Sequence, residues 1–239
     1  MGNPVFHFKQ FSVYQGKTVM KVGTDGVLLG AWAPVDQAST ILDVGTGTGL
    51  IALMLAQRNP HATITAIDID KEACEEAAAN FKSSPWLSRL TASNVSLQEF
   101  LQVSGKKYDL LVSNPPYFSR SMQAPCLRRT HSRHDETLSI ADLIQCSKQL
   151  LNDRGTLALV LPVDQYEKLG LVAVQQGLYE QRRVLVHPNP GKPVKRILSV
   201  WGFTSPDRVE EDNLVIENGV RHQYSDAYIQ LTKDFYLNM

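Results

Sequence analysis

The chain has 239 residues, which is enough for one well-buried α/β domain and too few for two of comfortable size. Lysine plus arginine and aspartate plus glutamate each number 24, so the net charge is zero and no overall basicity indicates a nucleic-acid partner. No stretch approaches about 18 consecutive apolar residues and no positively charged start leads into an apolar run, so neither a membrane span nor export is expected. The three cysteines, Cys74, Cys126 and Cys146, lack paired metal-ligand spacing, which favours reduced thiols in a cytoplasm and no metal site.

The amino-terminal residues predict a β-hairpin. Residues 6–14 alternate between polar and apolar with a period of about two, Gln15-Gly16 interrupts the pattern, and residues 18–22 resume it. The turn is therefore expected at Gln15-Gly16. The apolar run 27–33 then predicts a helix.

Thr24 and Asp25 precede this apolar run, and either residue suits a helix cap. Because they lead directly into a glycine-rich region, contact with a ligand is the alternative role.

A glycine-rich turn follows the first strand of the main body. Residues 40–44 read as a short buried strand, a helical run begins at Leu50, and the turn between them contains Gly45, Gly47 and Gly49. Such a turn lets a ligand approach the main chain and leaves helix amides free. Leu50 occupies the place of the third glycine of the dinucleotide fingerprint, and no phosphate-gripping lysine is present. With Asp43 ahead of it, the turn fits a cofactor that carries an amine.

Two polar side chains follow the next two strands. Asp68 ends the strand 63–67 about 20 residues past the glycine turn, where a carboxylate can accept hydrogen bonds from both ribose hydroxyls. Asn94 ends the strand 89–93 and is placed either to meet an adenine edge or to shape a turn. Asp70 is better explained as the cap of the helix that follows it.

Residues Asn114-Pro115-Pro116-Tyr117 come directly after the buried strand 108–113, at the end where open α/β sheets bind ligands. The two prolines remove backbone donors and keep the chain extended, so the Pro115 carbonyl can face a pocket beside the Asn114 side-chain carbonyl. Two converging acceptors suit the exocyclic amine of adenine or a carboxamide, and Tyr117 offers a flat face for stacking. The alternative is a rigid turn after a strand.

Two long stretches, residues 110–134 and 181–206, contain no acidic residue. The first is predicted either to neutralise the phosphates of a polyanionic substrate or to form an ordinary solvated loop. The second spans the predicted last strand pair, at residues 183–187 and 197–203, and is a second basic candidate for RNA. The residues proposed to contact RNA are Arg120, Arg128, Arg129, Arg133, Lys192, Lys195 and Arg196.

The alternation of strands and helices predicts an α/β fold: a Rossmann-like, seven-stranded, mostly parallel sheet with right-handed crossovers. The short loop before the last strand predicts that this strand is antiparallel. We expect a single domain over residues 1–239, with a hairpin and helix at 1–33, the Rossmann-like core at 34–206 and a carboxy-terminal extension at 207–239.

Residues 43–49, Asp68 and residues 114–117 together resemble the class I S-adenosylmethionine-dependent methyltransferases, within the branch that methylates amino groups. Residues 20–32 and 231–237 extend the likeness over nearly the whole chain. They look like the bacterial tRNA adenine-N6 methyltransferase family that modifies the adenosine beside the anticodon of a valine tRNA.

The resemblance implies S-adenosyl-L-methionine as cofactor, a tRNA partner and direct methyl transfer to an adenine N6. Asn114, Pro115 and Tyr117 would be catalytic. The resemblance implies cofactor contacts for Thr24 or Asp25 at its carboxylate end, Asp43 at its amino group, Gly45, Gly47 and Gly49 along the methionine part, Asp68 at the ribose and Asn94 at the adenine. Lys21 is a further cofactor-binding candidate. A cytoplasmic monomer without a metal or membrane partner is expected.

Three other functions remain open at this point. A glutamine carboxamide on a protein is an alternative methyl acceptor, although it gives no reason for two basic stretches. A non-catalytic RNA-binding module is disfavoured by the presence of Asn114, Tyr117 and all the turn glycines. A nicotinamide-dependent oxidoreductase is disfavoured by Leu50.

Overall fold

The computed structural model describes residues 4–16, 21–116 and 138–239. Within these ranges the chain forms ten strands and seven α-helices. The strands are β1 (Val5–His7), β2 (Ser12–Tyr14), β3 (Thr40–Val44), β4 (Thr63–Asp68), β5 (Leu90–Asn94), β6 (Tyr108–Ser113), β7 (Leu151–Pro162), β8 (Tyr179–His187), β9 (Arg196–Gly202) and β10 (Glu210–Val215). The helices are α1 (Thr24–Trp32), α2 (Leu50–Arg58), α3 (Lys71–Lys82), α4 (Leu97–Val103), α5 (Ile140–Leu150), α6 (Val163–Gln175) and α7 (Asp226–Thr232).

Eight strands form one sheet in the order β10-β8-β9-β7-β6-β3-β4-β5, and β1 pairs with β2 in a separate antiparallel hairpin. The neighbours from β5 to β7 run parallel, whereas β9 is antiparallel to both β7 and β8. The predicted mostly parallel sheet with an antiparallel last strand is confirmed. Because the chain proceeds outward from β3 through β4 to β5 and then returns to β6 on the other side, the strand order reverses between β3 and β6.

Helices cover both faces of the sheet. Successive strand residues point to opposite faces, so Ile41 belongs to one apolar cluster and Leu42 to the other. Helices α1, α2, α3 and α7 contribute to the Ile41 side, and α4, α5 and α6 contribute to the Leu42 side. Burial on both faces explains why the central strands read as continuous apolar runs.

The hairpin is present, but its predicted turn position is wrong. Instead of turning at Gln15-Gly16, the chain turns between β1 and β2, where the N–H of Phe8 donates to the carbonyl of Phe11 at 2.8 Å. Both phenylalanines are buried and their rings stack 4.7 Å apart. Aromatic burial against the body of the protein therefore outweighs the local preference of Gln15-Gly16 for a turn. Of the second predicted strand, Lys21 and Val22 are described and are not in a strand.

Strand β10 is an eighth sheet strand that the sequence does not predict. Its first residues are acidic and exposed, a composition that disfavours strands. It pairs in parallel with β8, where Arg183 contacts Glu211 at 2.6 Å and Arg182 contacts Asp212 at 3.6 Å. Cross-strand charge pairs thus support a strand that its own apolar pattern does not indicate.

Besides the cap at Asp70, the sequence patterns Ser96-Leu97-Gln98-Glu99 and Ser139-Ile140-Ala141-Asp142 predict helix starts, and all three starts are confirmed. Asp70 caps α3, Ser96 forms a capping box with Glu99 at the start of α4, and Ser139 caps α5. Asp70 thus has a structural role at the edge of the sheet that carries Asp68.

Candidate active site

The carboxyl ends of four neighbouring strands meet at one edge of the sheet. Val44 of β3 lies opposite Ser113 of β6 on one side and Ile67 of β4 on the other, and Asp68 lies opposite Asn94 of β5. The glycine turn after β3 and the segment after β6 are therefore neighbours where the strand order reverses. In open α/β sheets this crevice is the usual ligand site.

The glycine turn leaves open space beside its main chain. Gly45 and Gly47 have φ angles of +71° and +55°, and a Cβ added at either would meet no atom within 4 Å. A Cβ on Gly49 would instead lie 2.5 Å from the Phe81 ring of α3. The first two glycines thus provide a surface that a ligand can approach closely, and the third permits the turn to pack on α3.

Asp43 is a buried carboxylate behind this turn. Its Oδ2 accepts a hydrogen bond from the Thr46 hydroxyl at 2.6 Å, whereas its Oδ1 is buried and has no hydrogen-bond partner among the described residues. Burial raises the pKa of Asp43 to about 7, against the lowering effect of the Thr46 bond. A buried oxygen of this kind is suited to a ligand amine, since a positive charge nearby favours the ionised carboxylate.

Asp68 both braces the turn and faces the site. Its Oδ2 accepts from the main-chain N–H of Gly47 at 2.8 Å, and its Oδ1 accepts from the N–H of Asp70 at 2.9 Å. Burial raises the pKa of Asp68, and these two amide bonds oppose that rise. Each carboxylate oxygen has more than one acceptor site, so Asp68 is able to receive ligand hydroxyls while it holds Gly47.

Asn94 supports the chain that follows β4. Its side-chain amide nitrogen donates to the carbonyls of Asp68 and Ile69 at 2.9 and 3.0 Å. This contact matches the turn role that the sequence left open. The Ile69 side chain is 64% exposed beside these polar groups, so it offers an apolar surface against which a flat ring can pack.

Ser113 fixes the position of the Asn114-Pro115 segment. The buried Ser113 hydroxyl donates to the carbonyl of Val44 at 2.8 Å and thereby ties the end of β6 to the end of β3. Asn114 is half-buried, Pro115 is buried and Pro116 is exposed. Tyr117 lies outside the described residues.

A cavity of about 310 Å³ adjoins Pro115 and Pro116. Its wall is mainly apolar and comes from α5, α6 and the end of β7, with Gln165 and Lys168 as the polar members from α6. The Asn114-Pro115 segment therefore borders a cavity on the side of β7, α5 and α6.

An ion pair connects the first turn of α1 to the edge of the sheet where β7 ends. Arg196 begins β9 opposite Pro162, the last residue of β7, and its Nε donates to Asp25 Oδ2 at 2.7 Å. Gly23, not Thr24 or Asp25, is the N-cap of α1, and no side chain caps the helix, so the predicted capping role is wrong. The carboxylate of Asp25 is instead used in the ion pair with Arg196.

The other predicted cofactor and RNA residues occupy more exposed places. Lys21 and Thr24 are exposed, just before and at the start of α1. Lys192 and Lys195 are exposed in the loop between β8 and β9, at the same sheet edge as the glycine turn. The remaining predicted RNA contacts, which all lie outside the described residues, are Arg120, Arg128, Arg129 and Arg133.

Sequence reasoning missed several residues that shape this site. Thr46 holds Asp43, Ser113 holds the Asn114-Pro115 segment, and Ile69 adds apolar surface. Thr46 lies inside the glycine-turn motif and Ser113 directly precedes Asn114, so their position in the sequence could have indicated a role at the site. Asn80, whose amide nitrogen donates to the carbonyl of Thr48 at 2.8 Å, lies 32 residues away and no motif marks it.

Within residues 4–16, 21–116 and 138–239, no group of three or more His, Cys, Asp or Glu side chains is arranged to hold a metal ion. In the same part of the chain, no helix combines the length and apolar character needed to cross a bilayer. Cys74 and Cys146 are buried free thiols, and Cys126 lies outside the described residues.

Comparisons with known proteins agree with this architecture. The family model described as the methyltransferase small domain matches residues 18–176, more than half of the chain. The fold is similar to that of a predicted O-methyltransferase from Agrobacterium tumefaciens, with a TM-score of 0.68, 18% identity, and coverage of 88% of this chain and 96% of that chain. A putative RNA methyltransferase from Pyrococcus horikoshii gives a TM-score of 0.53 at 13% identity, over 73% of this chain and 80% of the other.

Together, the reversal of strand order, the glycine turn and the carboxylates at its edge define the class I methyltransferase fold. Full-length relatives narrow the assignment. The chain is 47% identical to the tRNA1(Val) (adenine(37)-N6)-methyltransferases of Bacteroides fragilis and Parabacteroides distasonis, with 100% of each chain covered. It is 44% identical to that of Trichodesmium erythraeum, over 99% of both chains. The chain therefore belongs to the methyltransferase small domain family and, within it, to the family of these tRNA adenine-N6 methyltransferases.

Proposed function

We propose that the protein transfers a methyl group from S-adenosyl-L-methionine to the N6 amine of adenosine 37 in a valine tRNA, in the cytoplasm. One structural observation carries the proposal. The Ser113–Val44 bond holds the Asn114-Pro115 segment beside the glycine turn, at the reversal point of the sheet. A cofactor bound along the turn and an acceptor held by the segment are then next to each other.

The described residues fit the cofactor at three points. The space beside Gly45 and Gly47 admits the methionine part, and Asp43 Oδ1, which has no hydrogen-bond partner among the described residues, suits its amino group. Asp68 is placed to accept the ribose hydroxyls. Bound S-adenosylmethionine supplies an electrophilic methyl group on a positively charged sulfur.

Asn114 and Pro115 provide the acceptor half of the reaction. An adenine N6 amine has two N–H bonds, which the Asn114 side-chain oxygen and the Pro115 carbonyl are suited to accept. These bonds draw the nitrogen lone pair out of conjugation with the ring and aim it at the methyl carbon. Positioning of this kind supplies roughly 7–11 kcal/mol of barrier reduction. Methylation leaves N6 as an aromatic ammonium, which is strongly acidic. It therefore loses its proton to solvent, by way of the Asn114 and Pro115 oxygens that already accept its N–H bonds, and no strong base is required.

An adenosine beside the anticodon is an accessible acceptor. Extruding a base costs a few kcal/mol and costs least when the base already lies in a loop. Lys192 and Lys195 lie at the reacting edge of the sheet, where they are able to neutralise phosphates around the extruded nucleotide. We assign the same role to the arginines at 120, 128, 129 and 133 and stacking on the base to Tyr117.

Methylation of unmodified valine tRNA by the purified protein tests the proposal. The expected product is one N6-methyladenosine per tRNA, identified by mass spectrometry of nucleosides, with no product from a tRNA in which adenosine 37 is replaced by guanosine. Methylation of a glutamine-containing protein instead of tRNA would move the acceptor to a carboxamide. Absence of S-adenosylmethionine binding in calorimetry would leave only an RNA-binding module.

A further inference from the structure

One face of α3 carries two buried polar side chains that contact the amino-terminal segment. Glu76 and Asn80 are four residues apart, so they lie one helical turn from each other on the same face. Each is 3% exposed. Buried polar groups are almost always satisfied, and here the partners include main-chain atoms of the hairpin.

Asn80 connects the hairpin directly to the glycine turn. Its Nδ2 donates to the carbonyl of Tyr14 at 2.9 Å and to the carbonyl of Thr48 at 2.8 Å, and its Oδ1 accepts from the N–H of Tyr14 at 2.8 Å. Thr48 lies between Gly47 and Gly49. One buried amide therefore fixes the end of β2 against the turn that borders the candidate cofactor site.

Glu76 continues this contact toward the reacting edge. Its Oε1 accepts from the N–H of Gly16 at 2.7 Å. Glu76 is one turn closer than Asn80 to the start of α3, where Asp70 caps the helix two residues after Asp68. The chain from Tyr14 to Gly16 therefore runs along α3 toward the Asp68 end of the site.

Gln15 links the same segment to the start of α1. Its side chain is 8% exposed, and its Oε1 accepts from the N–H of Val22 at 2.8 Å. Val22 lies two residues before Thr24, where α1 begins. The hairpin, the glycine turn and the approach to α1 are thus held together by side-chain contacts to main-chain atoms.

We propose that Asn80 and Glu76 are positioning residues for S-adenosylmethionine binding, because they hold Tyr14–Gly16 against the glycine turn as an outer wall of the cofactor site. This inference rests on the proposed function, since it assumes that the turn binds S-adenosylmethionine. Neither side chain touches the reacting atoms. Their loss changes cofactor affinity through the shape of the turn and the position of the wall.

The exchange Asn80→Asp tests the role of Asn80 with little change of volume, because it removes the Nδ2 donor. The carbonyls of Thr48 and Tyr14 then lose a partner and face a carboxyl oxygen. We expect the Kd for S-adenosylmethionine to rise about tenfold or more. The value of kcat at saturating cofactor and tRNA should stay within about twofold, because Asn114 and Pro115 are untouched.

Asn59 offers a matched control. It is 4% exposed, its Nδ2 donates to the carbonyls of Val35 and Ala38 at 2.8 Å each, and its Oδ1 accepts from the N–H of His61 at 2.8 Å. It caps the far end of α2, away from the glycine turn. Asn59→Asp should lower the melting temperature as Asn80→Asp does, but leave the cofactor Kd unchanged. Equal cofactor Kd values for wild type and Asn80→Asp, measured where both are folded by circular dichroism, would overturn the proposal.

Hydrogen exchange on the unaltered protein provides a second measurement that needs no variant. Saturating S-adenosylhomocysteine should slow exchange of the Tyr14 and Gly16 amides about tenfold, because these amides donate to Asn80 and Glu76 in the proposed wall. Unchanged exchange at both amides while the ligand binds would refute the wall and leave the proposed function intact. Failure of the wild-type protein to bind either ligand would instead refute the proposed function itself.

Discussion

The candidate site has two parts that are built in different ways: the glycine turn with the residues around it, which we propose binds the cofactor (the cofactor half), and the Asn114-Pro115 segment, which we propose holds the acceptor (the acceptor half). Around the glycine turn, short separations dominate: Thr46 bonds to Asp43 three residues away, Gly47 to Asp68 over 21 residues, and Asn94 to Asp68 over 26. In the acceptor half, Ser113 reaches Val44 over 69 residues. Outside the turn, the cofactor half also has long-range contacts, since Asn80 reaches Tyr14 over 66 residues and Glu76 reaches Gly16 over 60. The glycine turn itself is thus organised mainly within consecutive strand–turn–helix units, whereas its outer wall and the acceptor half depend on long-range contacts.

The sharpest test of this division is Asn114→Ala. If Asn114 acts only in the acceptor half, turnover should fall roughly 10²–10³-fold, the loss typical of one preorganised hydrogen-bonding group in a transition state. Single-turnover kinetics with valine tRNA and calorimetry with S-adenosylmethionine measure the two effects separately. A cofactor Kd that rises in proportion to the lost turnover would show that the two halves are not separable.

Asp68→Ala should have the opposite effect: weaker cofactor binding with little change in turnover. It removes a carboxylate proposed to bind the ribose and also releases the N–H of Gly47, so the cofactor Kd should rise about 30–100-fold. At saturating cofactor, kcat should change little. Asp70→Ala is the matched control, because Asp70 caps α3 beside the same site and should lower stability by about 1 kcal/mol without a comparable loss of affinity. Loss of kcat instead of cofactor affinity in Asp68→Ala would show that its role is misassigned.

The same division explains what the sequence could and could not reveal. The strands around the glycine turn, the caps at Asp70 and Ser96 and the antiparallel last strand follow from local periodicity and spacing. The hairpin turn and β10 do not, because Phe8 and Phe11 are placed by burial, and the acidic residues of β10 are paired with Arg182 and Arg183 of a distant strand. Charge counting along the chain therefore overstated how much of the second basic stretch is available to RNA.

The pH dependence of cofactor binding tests the proposed role of Asp43 in the cofactor half. Burial holds the pKa of Asp43 at about 7 in the free protein, and a ligand ammonium requires the ionised form. Affinity for S-adenosylmethionine should fall about fivefold from pH 7 to pH 6, because the ionised fraction of Asp43 falls by that factor, and it should also fall above about pH 8 as the ligand amine loses its proton. Calorimetry between pH 5.5 and 8.5 measures this profile. Asp43→Asn should bind S-adenosylmethionine more weakly. Its affinity should also fall less toward acid pH, because only the protonation of Asp68 then contributes to the fall.

Asp43 also makes a prediction for stability without ligand. Because its pKa is raised on folding, its contribution to stability is greatest below about pH 4 and declines as the pH rises to about 7. The decline amounts to at most about 4 kcal/mol. Urea unfolding of Asp43→Asn should show a smaller decline over this range than unfolding of the wild type. Identical pH dependence in both would mean that Asp43 is not the group that titrates.

The smallest expected effect concerns the exposed lysines of the acceptor half. Replacing Lys192 and Lys195 together with alanine should weaken tRNA binding about five- to tenfold and reduce the slope of log Kd against log salt by about 2, with the cofactor Kd unchanged. Lys106→Ala is the control, since Lys106 precedes β6 and lies at the opposite edge of the sheet. Because Lys106→Ala removes one charge and the double change removes two, a slope reduced by about 1 in Lys106→Ala would indicate general electrostatic attraction by the whole surface. A loss confined to the Lys192 and Lys195 variant would place the RNA at the edge where β6 presents Asn114. The acceptor half would then bind the RNA backbone as well as the reacting amine.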